Sequence, residues 1–67
     1  MREWLIEARG GRPQTEIANK SSISQQMYSA IERSEATPSV TVAKRLAKIV
    51  GVDWRQFYED DRNPSHG

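Results

Sequence analysis

The sequence predicts an all-α domain of five short helices, and three observations predict it. Apolar residues recur at three- and four-residue spacing along most of the chain. No stretch sustains the apolar–polar alternation of a half-buried strand. Helix-breaking residues punctuate the pattern at Gly10-Gly11, Ser21-Ser22, Glu35-Ala36-Thr37-Pro38 and Gly51. The 67 residues contain no cysteine, so one shared apolar core, not disulfides or thiolate-bound metal, must hold the segments together. Helices this short do not persist alone in water.

The first helix is expected from about Arg2 to Arg9, with Trp4, Leu5 and Ala8 on one face, and Gly10-Gly11 closes it. Pro13 suits the start of the next, where its fixed φ costs nothing, and Glu16 adds favourable negative charge near that N-terminus. This second helix covers about Gln14 to Ser21 and buries Ile17 and Ala18. Ser21-Ser22 make a break and Ile23 an apolar plug. Ser24 then caps a third helix reaching about Arg33, with Met27, Tyr28 and Ile31 as its core-facing stripe. Ser39 caps the fourth, about Val40 to Val50, which ends at Gly51. Val40, Ala43, Leu46, Ala47 and Val50 form its buried stripe, while Lys44, Arg45 and Lys48 face outward. Asp53 caps a short fifth helix through about Tyr58 that carries Trp54 and Phe57. The domain is therefore expected over residues 1–58, followed by a flexible acidic and polar tail over 59–67.

The net charge of +1 conceals an asymmetry. Residues 1–58 carry nine Lys/Arg against six Asp/Glu, and the acidic balance lies in Glu59, Asp60 and Asp61. A mildly basic body is compatible with a nucleic-acid partner without requiring one. Leu5 and Ile6 are flanked by charges, and no apolar run approaches the length of a membrane span. A cytoplasmic protein with no membrane partner is the expectation. His66 stands alone in a terminal Asn-Pro-Ser-His-Gly stretch, so no metal site, cofactor or catalytic group is expected, and no small-molecule ligand is evident.

The informative feature is the pair of segments at 14–21 and 24–33. A connection of so few residues forces two helices to cross steeply, which is helix-turn-helix geometry. In that geometry the second helix enters the major groove of DNA and its N-terminal residues meet base edges. Between Lys20 and Glu32 there is no charged side chain. With Tyr28 and Ile31 in the core, the free face is Ser24, Gln25, Gln26, Ser29 and Ala30. It is small, amide-rich and free of carboxylates that phosphates would repel. Glutamine can pair with adenine N6 and N7, and amides can also donate to guanine acceptors. Arg12, Lys20 and Arg33 border the pair, and Lys44 follows, as candidate phosphate contacts. Considered alone, Gln25-Gln26 is ordinary surface polarity; the framework gives it meaning. Trp54 and Phe57 exceed what so small a core needs, which marks them as a candidate homodimer surface. A dimer would reach two half-sites about 34 Å apart.

Taken in order, Gln14-Thr15-Glu16-Ile17-Ala18, Ile23-Ser24-Gln25-Gln26, Ile31-Glu32-Arg33, Pro38-Ser39, Leu46-Ala47 and Gly51-Val52 resemble the Cro/repressor (Xre-type) helix-turn-helix family. The resemblance spans about residues 4–58 and implies a compact five-helix, lambda-repressor-like fold and a sequence-specific transcriptional regulator of phage or mobile-element type. It implies that Gln14 clamps a phosphate beside Gln25, and that Arg9 and Glu32 form a structural ion pair. This sequence departs from the pattern in three places. Pro13 replaces the usual hydroxyl cap, Ser22 and Ser34 stand where glycine is common, and the link from Arg9 to Gln14 is short. The two serines are expected to strain their turns. A protein-interaction module of the same fold, such as an antitoxin, is the alternative; it usually adds a partner-binding segment, for which only the tail from Glu59 is at hand.

Overall fold

The computed structural model describes residues 1–62, and every regular element among them is helical. Five helices follow in order: α1 (Glu3–Arg9), α2 (Gln14–Lys20), α3 (Gln25–Glu32), α4 (Val40–Val50) and α5 (Gln56–Arg62). The all-α fold and the five-helix order expected from the sequence are therefore present. α2 packs on α3 and α4, and α1 closes over α3 and α4.

Local chemistry explains most of the boundaries. Ser24 Oγ accepts from the Met27 amide at 3.0 Å, and Ser39 Oγ accepts from the Val42 amide at 3.3 Å. Each hydroxyl satisfies one of the amides that a helix start leaves without an intrahelical partner. Pro13, at the cap position of α2, offers no such side-chain bond.

Three helix ends share one closing device. The amides of Ile23, Glu35 and Val52 return to the carbonyls of Ala18, Ala30 and Ala47 at 3.0, 2.9 and 3.0 Å. This six-to-one bond requires a left-handed residue just before the returning amide. At the end of α4 that residue is Gly51, with φ +82°. At the ends of α2 and α3 it is Ser22, φ +62°, and Ser34, φ +63°. Both serines thus carry the left-handed strain that their Cβ creates.

Leu5, Ile17, Ala18, Tyr28, Ile31, Ala43, Leu46, Val50 and Phe57 form one continuous core. Fully burying an aliphatic or aromatic side chain contributes about 1.5–3 kcal/mol, which is what holds such short helices together. Four expectations need correction. Met27 and Val40 are 47% and 49% exposed, not buried. On α3 the inward stripe is Tyr28, Ile31 and Glu32, which turns Met27 away. Val40 is the first residue of α4, a turn ahead of the buried Ala43. Phe57, expected on a dimer surface, is fully buried, its ring edge-to-face with Trp4 at 5.0 Å. The fifth helix starts at Gln56 and runs to Arg62, beyond the expected end at Tyr58. Asp53 instead caps the turn before it, its Oδ1 accepting from the Arg55 amide at 2.9 Å. The remainder of the expected flexible tail lies outside the described residues.

Arg2 is the residue that amphipathic patterning misplaces most. It is 1% exposed, with its guanidinium 5.8 Å from the Phe57 ring centre. Its Nη1 donates to the carbonyls of Ile31 and Ala36, and its amide donates to Glu32 O at 2.7 Å. The start of the chain is therefore fastened to the end of α3.

Candidate nucleic-acid interface

α3 presents Ser24, Gln25 and Gln26 as exposed side chains, with Ser29 and Ala30 half-buried further along the helix. The turn at Ser21–Ser24 fixes this helix against α2, and burial of Tyr28 and Ile31 fixes its rotation. The free face contains no charge.

Behind it runs a chain of hydrogen bonds between side chains. Arg9 Nε donates to Glu32 Oε2 at 2.7 Å and Arg9 Nη2 to Oε1 at 3.4 Å. Gln14 Nε2 donates to Glu32 Oε1 at 2.9 Å. Gln25 Nε2 in turn donates to Gln14 Oε1 at 3.2 Å. The structure thus brings together Arg9, Glu32, Gln14 and Gln25, from α1, α3 and α2. Glu32 is only 3% exposed, so its charge requires these partners. The carboxylate holds the Arg9 guanidinium above its ordinary range. Burial pushes the neighbouring Tyr28 phenol up, and the Glu32 carboxylate adds to that shift.

The basic candidates fall into different settings. Lys20 is exposed at the end of α2 and pairs with Glu16 one turn back at 3.2 Å. Arg33 is exposed, its Nη1 donating to Ser29 Oγ at 2.5 Å and its Nη2 to Glu35 Oε1 at 3.0 Å. Arg33 in turn holds the Glu35 carboxyl below its usual range. Lys44 Nζ stands 5.1 Å over the Trp54 ring, and the Arg55 guanidinium lies 5.6 Å from the same ring. Arg12 is held away from solvent-directed roles by main-chain partners. Its Nε, Nη2 and Nη1 donate to Arg9 O, Ala8 O and Ile49 O at 3.0, 3.2 and 3.2 Å, tying the end of α1 to α4. Sequence patterning registers Arg12 only as a bordering cation, because donation to main-chain carbonyls leaves no periodic signal. Among the described residues no group of His, Cys, Asp and Glu is placed to hold a metal ion. None of the described helices is long and apolar enough to cross a membrane.

The helix-turn-helix family profile matches residues 2–57, which include all of α1 to α4 and the turns between them. The chain belongs to the Xre-type helix-turn-helix family. It is 39% identical over 62 residues to the uncharacterized HTH-type transcriptional regulator YqaF of Bacillus subtilis (strain 168), covering 90% of this chain and 82% of that protein. No solved structure is significantly similar to it. Membership makes it a DNA-binding domain of the transcription-regulator class.

Proposed function

We propose that this chain is a sequence-specific regulator of the phage or mobile-element repressor kind, which lays α3 in the major groove of double-stranded DNA. The observation that supports it best is the uncharged face of Ser24, Gln25, Gln26, Ser29 and Ala30, with Gln25 fastened to Gln14 behind it. An ordinary solvated helix face has no need of such a brace, whereas base reading depends on side chains held in place. Gln14, Lys20, Arg33 and Lys44 supply the phosphate contacts in this reading, and Arg12 stays with the helix ends it clamps. Two copies pair through the face that carries Trp54, half-buried and edge-to-face with Tyr58 at 5.9 Å. Pairing lets two α3 helices reach half-sites on one side of the duplex. The protein works where the DNA is, in the cytoplasm, and without a cofactor.

Selection from random duplexes is the test. One enriched sequence with two related half-sites is expected, and Gln25→Ala or Gln26→Ala should cost about 1–3 kcal/mol on it and relax the preference at one position. Weak binding without an enriched sequence would replace this reading with that of a protein-interaction module. Sedimentation of the DNA complex as a single copy would remove the dimer.

A further inference from the structure

The two ends of a glutamine amide are nearly identical in shape, so only its partners decide whether oxygen or nitrogen faces outward. Here those partners trace back to a group that cannot donate. Ionised Glu32 is acceptor-only, and it is held by Arg9, which is donor-only. Gln14 must therefore turn its Nε2 toward Glu32, at 2.9 Å. That leaves Gln14 Oε1 facing Gln25, which must donate to it, at 3.2 Å. Gln25 is left with Oε1 and its second Nε2 hydrogen for a base, one acceptor and one donor side by side.

We infer that buried Glu32 is a specificity-determining positioning residue: through Gln14 it sets the polarity of the Gln25 amide, so that Gln25 reads adenine and rejects guanine. Adenine offers the complementary pair, an N6 donor beside the N7 acceptor, whereas guanine offers two acceptors, N7 and O6. A carboxylate that never approaches DNA thereby selects the base. The inference rests on the reading of Gln25 as a base contact.

Replacing Glu32 by glutamine makes the prediction sharp. Arg9 keeps its need for an acceptor, so the oxygen of the new amide stays on Arg9 Nε and its nitrogen turns to Gln14. Gln14 then reverses and Gln25 reverses after it, so the donor and the acceptor that Gln25 turns to the base trade places and no longer match adenine.

The experiment uses the full chain and the sequence selected by it. Gln25→Ala first identifies the base pair that Gln25 reads, as the position whose preference relaxes. The parent protein should prefer adenine over guanine there on the order of 10-fold. Glu32→Gln should shrink the adenine-over-guanine preference at that position toward unity and leave the other positions as they were. An unchanged adenine preference in Glu32→Gln overturns the inference, as does a parent preference for guanine. If no position relaxes in Gln25→Ala, the base-reading function itself falls, and this inference with it. Should Glu32→Gln not fold by circular dichroism, Gln14→Met carries the test. It cuts the relay at a partly exposed site, and the adenine-to-guanine discrimination should shrink toward unity; full retention overturns the inference.

Discussion

The α2–α3 pair and the rest of this small domain use polar side chains differently. In the first, Arg9, Glu32, Gln14 and Gln25 bond to one another, side chain to side chain, and the series ends at an exposed amide. In the second, polar groups fold back onto main-chain carbonyls. Arg12 reaches Ile49 O, Tyr58 Oη donates to Pro38 O at 2.7 Å, and Arg45 Nη1 stands 3.5 Å from Ser21 O. The closing of the helices differs as well, with strained serines after α2 and α3 and a relaxed glycine after α4. The difference teaches that one half is arranged to present chemistry and the other to hold the frame. A helix-turn-helix this short needs both, because two crossed helices cannot bury enough surface by themselves.

Six substitutions test how cleanly these tasks divide. Phe57→Ala carries the largest effect. It empties a fully buried aromatic site beside Trp4 and should cost about 3–5 kcal/mol in denaturant unfolding. A loss below 1 kcal/mol would mean that Phe57 is not a core residue. Arg12→Ala and Lys20→Ala then separate a clamping cation from one proposed to face DNA. Arg12→Ala should lower stability by about 1–2 kcal/mol, a figure reduced for its partial exposure, and leave the salt dependence of DNA binding unchanged. Lys20→Ala should change stability by no more than about 0.5 kcal/mol and reduce the slope of log affinity against log salt by about one. If the two exchange these effects, the division of labour is wrong. Smaller losses and gains than that of Arg12→Ala lie at the turns. Ser22→Gly and Ser34→Gly should each raise stability by about 0.5–1 kcal/mol, and Gly51→Ser should lower it by a similar amount, in thermal or denaturant melts.

What was legible in the sequence follows the same division. The caps Ser24 and Ser39, the stop at Gly51 and the burial of Tyr28 and Ile31 are local or periodic, and they appear where patterning places them. So does the pairing of α2 with α3, because a short connection leaves few geometries open. The left-handed serines were also legible, through the resemblance that marks their positions as glycine sites. Arg2 was not, because no periodicity distinguishes a buried arginine bridging Ile31 O and Ala36 O from an exposed one. Phe57 was misassigned because α5 reaches the core only in three dimensions, against Trp4, a residue 53 positions away in the chain. Met27 was misassigned because a buried glutamate, Glu32, takes the inward position that patterning reserves for apolar residues.

Ser22 and Ser34 carry a consequence for how such a regulator changes its target over generations. In the proposed reading new preferences come from substitutions on α3, and most substitutions erode a stability that is small to begin with. Each of these serines is a single replacement away from recovering part of that loss, at a turn outside the reading face. The strain in the two turns is thus unused capacity, available to a lineage acquiring a new operator before any change in the core is needed.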